Sequence, residues 1–365
     1  MQCDCKRKHE PLEVEVGDTI YEIEFGKIQI GITGRCNMRC DHCRAAHQQN
    51  VDMPVEQVVK IIQFARQFGP DSKEIIVSGG EPLLHSAFCD VMRSVKENGG
   101  EFVTLTTNGS MLTAQHLELF EELKFGRLQI SISLDSSQES KHDSFRHYQG
   151  AFAKANKALA MVVQSKTPNL TASIRCTIKA TQIPEMEAVV EHANSLGCQR
   201  ISFSAIHPAG QAINRDDLWM SSSDKFDFIR EVYRLKTKYP HLNVTTGDPL
   251  KCLLQEANEL ADENELVFDG CGAGVIAFNV NADGTMTPCA LLNTPMMNVF
   301  PMSITEITEN YKQNPFVQSR LAMNLKGRCG ICERRYQCGG CRARALIQNG
   351  DILGEDPHCW LKVIP

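Results

Sequence analysis

From residue 27 to residue 210 the hydrophobic positions switch repeatedly between a spacing of two and a spacing of three or four, the signature of strand followed by helix. Strands are predicted at 27–33, 74–77, 102–106, 128–134, 171–178 and 200–205. Between the first two, Asp52 and Pro54 open a helix that carries Val55, Val58, Val59 and Ile62 on one face. The next helix carries Phe88, Val91, Met92 and Val95 and stops at Gly99 and Gly100. Others fit 115–123, 151–165 and 184–195. Six such units predict an α/β fold, a partial (β/α)6 TIM-like barrel of parallel strands with crossover helices.

The later strands also sort their residues by face. Leu128, Ile130, Ile132 and Leu134 oppose Gln129, Ser131, Ser133 and Asp135. Ile174, Cys176 and Ile178 oppose Ser173, Arg175 and Thr177, and Ile201 and Phe203 oppose Ser202 and Ser204. Apolar faces must meet the helices, so the polar faces turn inward, where a closed barrel would pack branched apolar residues. A wet cavity holding a polar cofactor and a substrate is the expectation. A two-layer sheet with one solvent face alternates identically, but strand–helix connectivity argues against it. Residues 1–26 read as a polar lead-in on which Cys3, Cys5 and His9 have no fixed partner. Residues 211–270 read as a bridge with a helix near 224–239 and an acidic run at 256–265, taken as a solvated helix face. Residues 271–365 form a small cysteine-rich domain.

With 365 residues, 42% of them hydrophobic, the chain has room for two domains. It contains no apolar run of about 18 residues that would span a membrane. The opening MQCDCKRKHE is too polar for a signal peptide, which points to the cytoplasm. A net charge of -6 without a basic run argues against nucleic-acid binding. Sixteen cysteines without an export signal point to metal or redox work instead of a disulfide scaffold.

The densest chemistry lies in GITGRCNMRCDHC, residues 31–43, with Cys36, Cys40 and Cys43 in CxxxCxxC spacing. Three thiolates this close can hold three corners of an iron-sulfur cube and leave the fourth iron open. Zinc is the rival, but a structural zinc wants four ligands, and His42 is the nearest extra donor. Together with SGGEPLL at 78–84, the segment resembles the radical SAM enzymes. That resemblance implies a 4Fe-4S cluster on the three cysteines, with S-adenosylmethionine on its open iron. It also implies a 5'-deoxyadenosyl radical that takes hydrogen from substrate. Ser78, Gly79, Gly80, Glu81 and Pro82 would then meet the methionine amino group. Further motifs follow the third, fourth and sixth strands: TTNG at 106–109, SLDSS at 133–137 and HPAG at 207–210. By the same resemblance Ser133 and Asn108 approach S-adenosylmethionine, and Arg146 in HDSFR is a candidate for its carboxylate. Arg175, facing the cavity, is the physical alternative; an arginine paired with a barrel Asp or Glu fits either position equally well. His207 reads as a packed histidine before a proton shuttle. Cys89, Cys176 and Cys198 read as small buried hydrophobes.

Seven further cysteines follow: Cys271, Cys289, Cys329, Cys332, Cys338, Cys341 and Cys359. Two CxxC pairs alone would suggest a zinc knuckle, yet seven thiols exceed one zinc site. The pattern resembles the SPASM extension of radical SAM enzymes, which implies one or two auxiliary 4Fe-4S clusters. Cys329, Cys332, Cys338 and Cys359 would hold one, and Cys271, Cys289 and Cys341 another. The second set lacks a ligand, and either Cys252 completes it or one iron is open; the open site is the first expectation.

SPASM enzymes mostly modify peptides, so the first expectation is a peptide substrate that is crosslinked, epimerised or oxidised, with an electron donor such as flavodoxin or ferredoxin. Ala290 stands where sulfatase-maturing members place an Asp base, which argues against that branch. The alternative is tetrapyrrole chemistry, because CGGCRARALIQNGDILGEDPHC at 338–359 and CRAA at 43–46 resemble radical SAM enzymes that trim porphyrin side chains. A tetrapyrrole carries several carboxylates and asks for a basic lumen, for which Arg146 and Arg175 are the candidates visible in sequence. Small-molecule dehydrogenation is a third reading. A non-catalytic iron-sulfur or zinc protein is disfavoured, since a binding module needs neither motif.

Overall fold

The computed structural model describes residues 10–46, 48–70, 73–254 and 269–361. Cys3, Cys5, His9 and the acidic run at 256–265 lie outside the described residues. The chain starts with an antiparallel hairpin, β1 (Leu12–Val16) and β2 (Thr19–Ile23), not anticipated in the polar lead-in. Its alternation is short but real: Leu12, Val14 and Ile23 are buried while the residues between them face out.

The six expected strands follow as β3 (Lys27–Thr33), β4 (Glu74–Gly79), β5 (Phe102–Thr107), β6 (Arg127–Ser133), β7 (Leu170–Ile178) and β8 (Arg200–Ala205), each parallel to the next. Helices α1 (Val55–Gln67), α2 (Phe88–Glu97), α3 (Ala114–Leu123), α4 (Glu139–Arg146), α5 (Ala151–Gln164) and α6 (Met186–Ser195) make the crossovers. Helix α1 buries Val58, Ile61, Ile62, Phe64 and Ala65 along one stripe, as its spacing demands. The interior of the layer between helices and sheet is one continuous apolar core.

Beyond the sixth unit the sheet continues. Helix α7 (Ser222–Lys238), capped by Ser221 and Asp224, leads to β9 (Asn243–Thr246), a seventh parallel strand beside β8. At the other edge, β10 (Ala277–Val280) pairs parallel with β3, then β11 (Thr285–Thr287) and β12 (Met297–Asn298) run antiparallel. The strand order is β12-β11-β10-β3-β4-β5-β6-β7-β8-β9, so the two edges do not meet and the barrel stays open. The four residues of β9 were too short to read as a strand by periodicity. Helices α8 (Ile304–Lys312) and α9 (Pro315–Leu321) cover the hairpin and α1; of the C-terminal cysteines, Cys329 lies in the short α10 (Arg328–Ile331), Cys338 in α11 (Arg335–Cys338), and Cys341 caps α12 (Arg342–Asn349).

A buried ion network fixes that last segment to the barrel. Arg344 of α12 reaches Asp248 at 2.9 Å and Asp356 at 2.6 Å, and Lys225 of α7 reaches Asp248 at 2.8 Å, all four nearly or fully buried. Charges this deep persist because each one is paired and hydrogen-bonded. Among the described residues no helix is long and apolar enough to cross a membrane.

Candidate active site

The loop after β3 carries Cys36, Cys40 and Cys43, packed with Met38, Tyr148 and Ala151 into a small cluster of their own. Its base is pinned from several sides. Arg35 donates to Asp52 through Nε at 3.1 Å and to the Leu84 carbonyl through Nη2 at 2.6 Å, and Thr33 Oγ1 donates to Asp52 at 2.7 Å. The GGEP turn then crosses close beneath the loop: Gly80 N–H donates to the Thr33 carbonyl and Glu81 N–H to the Arg35 carbonyl, both at 2.8 Å. A Cβ on Gly79 would come within 2.2 Å of the Thr33 oxygen, and one on Gly80 within 2.3 Å of the Arg35 oxygen. Gly79 also has φ +138°, so glycine is required there on both counts.

Glu81 is fully buried and its carboxylate is engaged. It accepts from Thr107 Oγ1 at 2.5 Å, Asn108 N–H at 2.7 Å and Leu83 N–H at 3.2 Å. The turn therefore shows the cavity Ser78 and the backbone of Gly79 and Gly80, while Glu81 and Pro82 brace it from behind. Asn108 spans to the cysteine loop, its Nδ2 donating to Asn37 Oδ1 at 2.9 Å. Ser133, at the end of β6, sits in register with Arg175 of β7 and lines the same space.

Sequence left Arg146 and Arg175 level, and the geometry separates them. Arg146 Nε donates to Asp135 Oδ2 at 2.7 Å, and its Nη1 lies 3.8 Å from Cys40 Sγ. Burial pushes the Asp135 carboxyl upward, but Arg146 together with His42 and His142 outweighs it and holds the group down to about 2. Arg146 is thus a barrel arginine paired with an aspartate and turned toward a thiol. Arg175 forms no hydrogen bond or ion pair among the described residues, is exposed, and lines the cavity. His207 also lines the cavity; burial lowers its pKa to about 3, which keeps it neutral.

The cavity holds about 500 Å³ and runs from the Cys36 loop to the first residues of the strands. The inward polar faces expected from sequence line it, including Gln129, Ser131, Thr177, Ser202 and Ser204. Its charge was underestimated: Lys27, Arg44, Arg146, Arg175, Arg200 and Lys251 line it, against Glu74 as the one carboxylate among the described lining residues. Arg200 and Lys27 fall on the inward face of their strands and could have been found by extending the alternation one step. Arg44 is in a loop and carries no such signal.

Cys289 opens into the same cavity with Ala290 and Leu291. Arg44 has the Cys43 and Cys289 thiols among its electrostatic neighbours and donates to the Ala290 carbonyl at 3.2 Å. Cys289 has Cys271 and Cys341 as its electrostatic neighbours, and burial pushes its thiol up to about 12. Cys329, Cys332, Cys338 and Cys359 line a second, smaller pocket away from the lumen. There Gly340 N–H points at Cys338 Sγ and Asp356 N–H at Cys329 Sγ, both at 3.4 Å. Cys252 does not join the Cys289 group: its thiol contacts Cys338 and donates to the Pro249 carbonyl at 3.1 Å. Cys176 and Cys198 are buried as expected, whereas Cys89 is exposed. Among the described residues no three His, Cys, Asp or Glu side chains converge on one point as a single metal ion would require.

The Cys36 loop fits an iron-sulfur cluster in its own chemistry. Three thiols face a polar cavity, Cys40 is pushed to about 11 by burial, and Arg146 and the Met38 N–H are aimed at sulfur. Such thiols become thiolates only when a cation or positive cluster takes the charge. Residues 30–193, which run from β3 through α6, match the model of the radical SAM superfamily. The cofactors of that family are a 4Fe-4S cluster and S-adenosylmethionine.

Among relatives, the chain is 29% identical to the AdoMet-dependent heme synthase of Methanosarcina barkeri, over 90% of this chain and 94% of that protein. It is 23% identical to the PqqA peptide cyclase of Ruegeria pomeroyi, over 90% of this chain and 85% of the cyclase. In fold it resembles Streptococcus suis SuiB bound to its precursor peptide SuiA, with TM-score 0.76 and 16% identity, over 93% of this chain and 77% of SuiB.

Proposed function

We propose that the protein takes a hydrogen atom from a side chain of a carboxylate-bearing tetrapyrrole, as part of haem-type side-chain trimming. This exchanges the first expectation, a peptide, for the alternative. The observation that carries it is the charge of the cavity: six basic side chains against one carboxylate, in the space that the Cys36 loop faces. A substrate with several carboxylates satisfies such a lumen. The heme synthase relative, aligned over nearly its whole length, supports the same choice, whereas the likeness to SuiB concerns the fold.

In this reading Cys36, Cys40 and Cys43 would hold a 4Fe-4S cluster, which would supply the reducing electron for cleavage of S-adenosylmethionine when both are bound. The chain's own residues position the reactants. Gly79 and Gly80 offer backbone to the methionine amino group. Arg175, unpaired and level with Ser133, takes its carboxylate; Arg146, engaged by Asp135, steadies the Cys40 thiolate. Cys329, Cys332, Cys338 and Cys359 would hold one auxiliary cluster, and Cys271, Cys289 and Cys341 would supply ligands to another, with Cys289 lining the cavity. The electron donor is a small redox protein of the flavodoxin or ferredoxin kind.

The test is anaerobic turnover of the reconstituted enzyme with S-adenosylmethionine, dithionite and iron coproporphyrin III. Expected are 5'-deoxyadenosine and a tetrapyrrole of altered side-chain mass. An unchanged tetrapyrrole, with modification of a precursor peptide instead, overturns the proposal in favour of the peptide reading.

A further inference from the structure

The cavity has two ends of different character. At the loop end stand the cysteines, Ser133 and Arg175. At the other end β8 begins with Arg200, whose inward face continues as Ser202 and Ser204. Register places Arg200 opposite Ser173, two residues nearer the strand starts than Arg175, which is roughly 7 Å along the barrel wall. The electrostatic neighbours of Arg200 are Glu74 and Arg127, at strand starts, while those of Arg175 are Asp135, just past the end of β6, and Arg146, at the end of α4. The two guanidiniums therefore serve opposite ends of one space.

Arg200 has no partner of its own. Glu74, the carboxylate of that wall, is already used: its Oε1 accepts from Thr104 Oγ1 at 2.6 Å and its Oε2 pairs with Lys27 Nζ at 3.0 Å, with Arg127 at 3.9 Å. Arg200 forms no hydrogen bond or ion pair among the described residues, and its Nε is buried without an acceptor. A partly buried fork of donors left open toward a polar cavity is built for a planar anion, and a carboxylate matches it with two parallel hydrogen bonds.

We infer that Arg200 is a specificity-determining residue that binds a carboxylate of the substrate at the strand-start end of the cavity, so that the opposite edge of the substrate faces the Cys36 loop. This rests on the tetrapyrrole reading and adds the residue that orients the ring. Arg175 is left for the carboxylate of S-adenosylmethionine, and the two assignments can be told apart.

The test uses the reconstituted enzyme and two probes, iron coproporphyrin III with four free carboxylates and its tetramethyl ester, followed by absorbance titration. Binding of S-adenosylmethionine is followed separately by calorimetry. Arg200→Gln is expected to weaken the tetra-acid by roughly 10- to 100-fold, the range of a lost charge-assisted hydrogen bond. It should leave the ester and S-adenosylmethionine unaffected, and Arg200→Lys should fall between. Arg175→Gln should show the converse, a loss for S-adenosylmethionine. If the wild type prefers the tetra-acid and Arg200→Gln does too, the inference fails while the tetrapyrrole reading stands. A wild type that binds acid and ester alike also overturns it. A wild type that binds neither removes the tetrapyrrole reading itself. Should Arg200→Gln not fold, Arg200→Lys and the acid-to-ester ratio of the wild type decide the matter.

Discussion

The two sulfur-bearing regions share a residue type and differ in everything around it. The Cys36 loop places its thiols at the mouth of a polar cavity, with Arg146 as the cation nearest sulfur and Asp135 balancing it. The C-terminal region holds its thiols on loops and two four-residue helices, with the fully buried Arg320, Arg342 and Arg344 among its core and Arg344 paired to Asp248 and Asp356. Only its Cys289 side reaches the cavity; the Cys329 group faces a small pocket of its own. Openness marks where substrate and cofactor can meet sulfur, and sealing suits a site that passes or stores electrons.

The largest effect should come from the open region. Cys36→Ala, Cys40→Ala or Cys43→Ala each should reduce 5'-deoxyadenosine formation to background while iron bound by the C-terminal cysteines remains. Cleavage that persists in all three, measured beside iron content, would mean that the reactive site lies elsewhere.

In the sealed region the expected loss is of stability. Arg344→Ala leaves Asp248 and Asp356 buried with one partner fewer, which costs about 3–5 kcal/mol for a broken buried pair. Thermal unfolding under anaerobic conditions measures it, and a melting temperature equal to that of the wild type contradicts the network's role in docking this segment.

A smaller, pH-dependent effect belongs to the barrel. His142 is buried beside Asp135, and desolvation lowers its pKa from 6.5 to about 4. Between those values the unfolded chain binds the proton and the folded chain does not, so stability is full above pH 6.5 and falls as pH drops toward 4. The loss approaches about 3 kcal/mol when complete. The urea midpoint should fall between pH 7 and pH 5, with a shallower slope in His142→Gln. An identical slope in the variant would assign the acid sensitivity to other groups.

The smallest effect is spectroscopic. Because Cys252 touches Cys338, Cys252→Ala should alter the paramagnetic resonance signal of the Cys329 group and leave that of the Cys289 group as it was. A change confined to the Cys289 group would restore Cys252 as its missing ligand.

Much of this was legible in sequence because it rests on period and on sulfur spacing. The six strands match the structure within two residues at each end, since alternation fixes a face over several positions. The division of the C-terminal cysteines into two sets came from the resemblance to the SPASM extension, since spacing alone would pair Cys338 with Cys341. Hidden were elements too short for a period, such as β9, and contacts set by the tertiary fold. Nothing near Cys252 in the chain points to Cys338, and nothing near Arg344 points to Asp248. The basic lumen fell between these cases. Arg200 was one position beyond the alternation of its strand, whereas Arg44 had no pattern to betray it. That gap weakened the tetrapyrrole reading in sequence, and the lining of the cavity restored it.

The most direct measurement is isotope transfer. Iron coproporphyrin III deuterated in its side chains is turned over with S-adenosylmethionine and dithionite, and the 5'-deoxyadenosine is examined by mass spectrometry. Deuterium in 5'-deoxyadenosine, in proportion to altered tetrapyrrole, is the predicted result. Unlabelled 5'-deoxyadenosine formed at the same rate with and without the tetrapyrrole would contradict it.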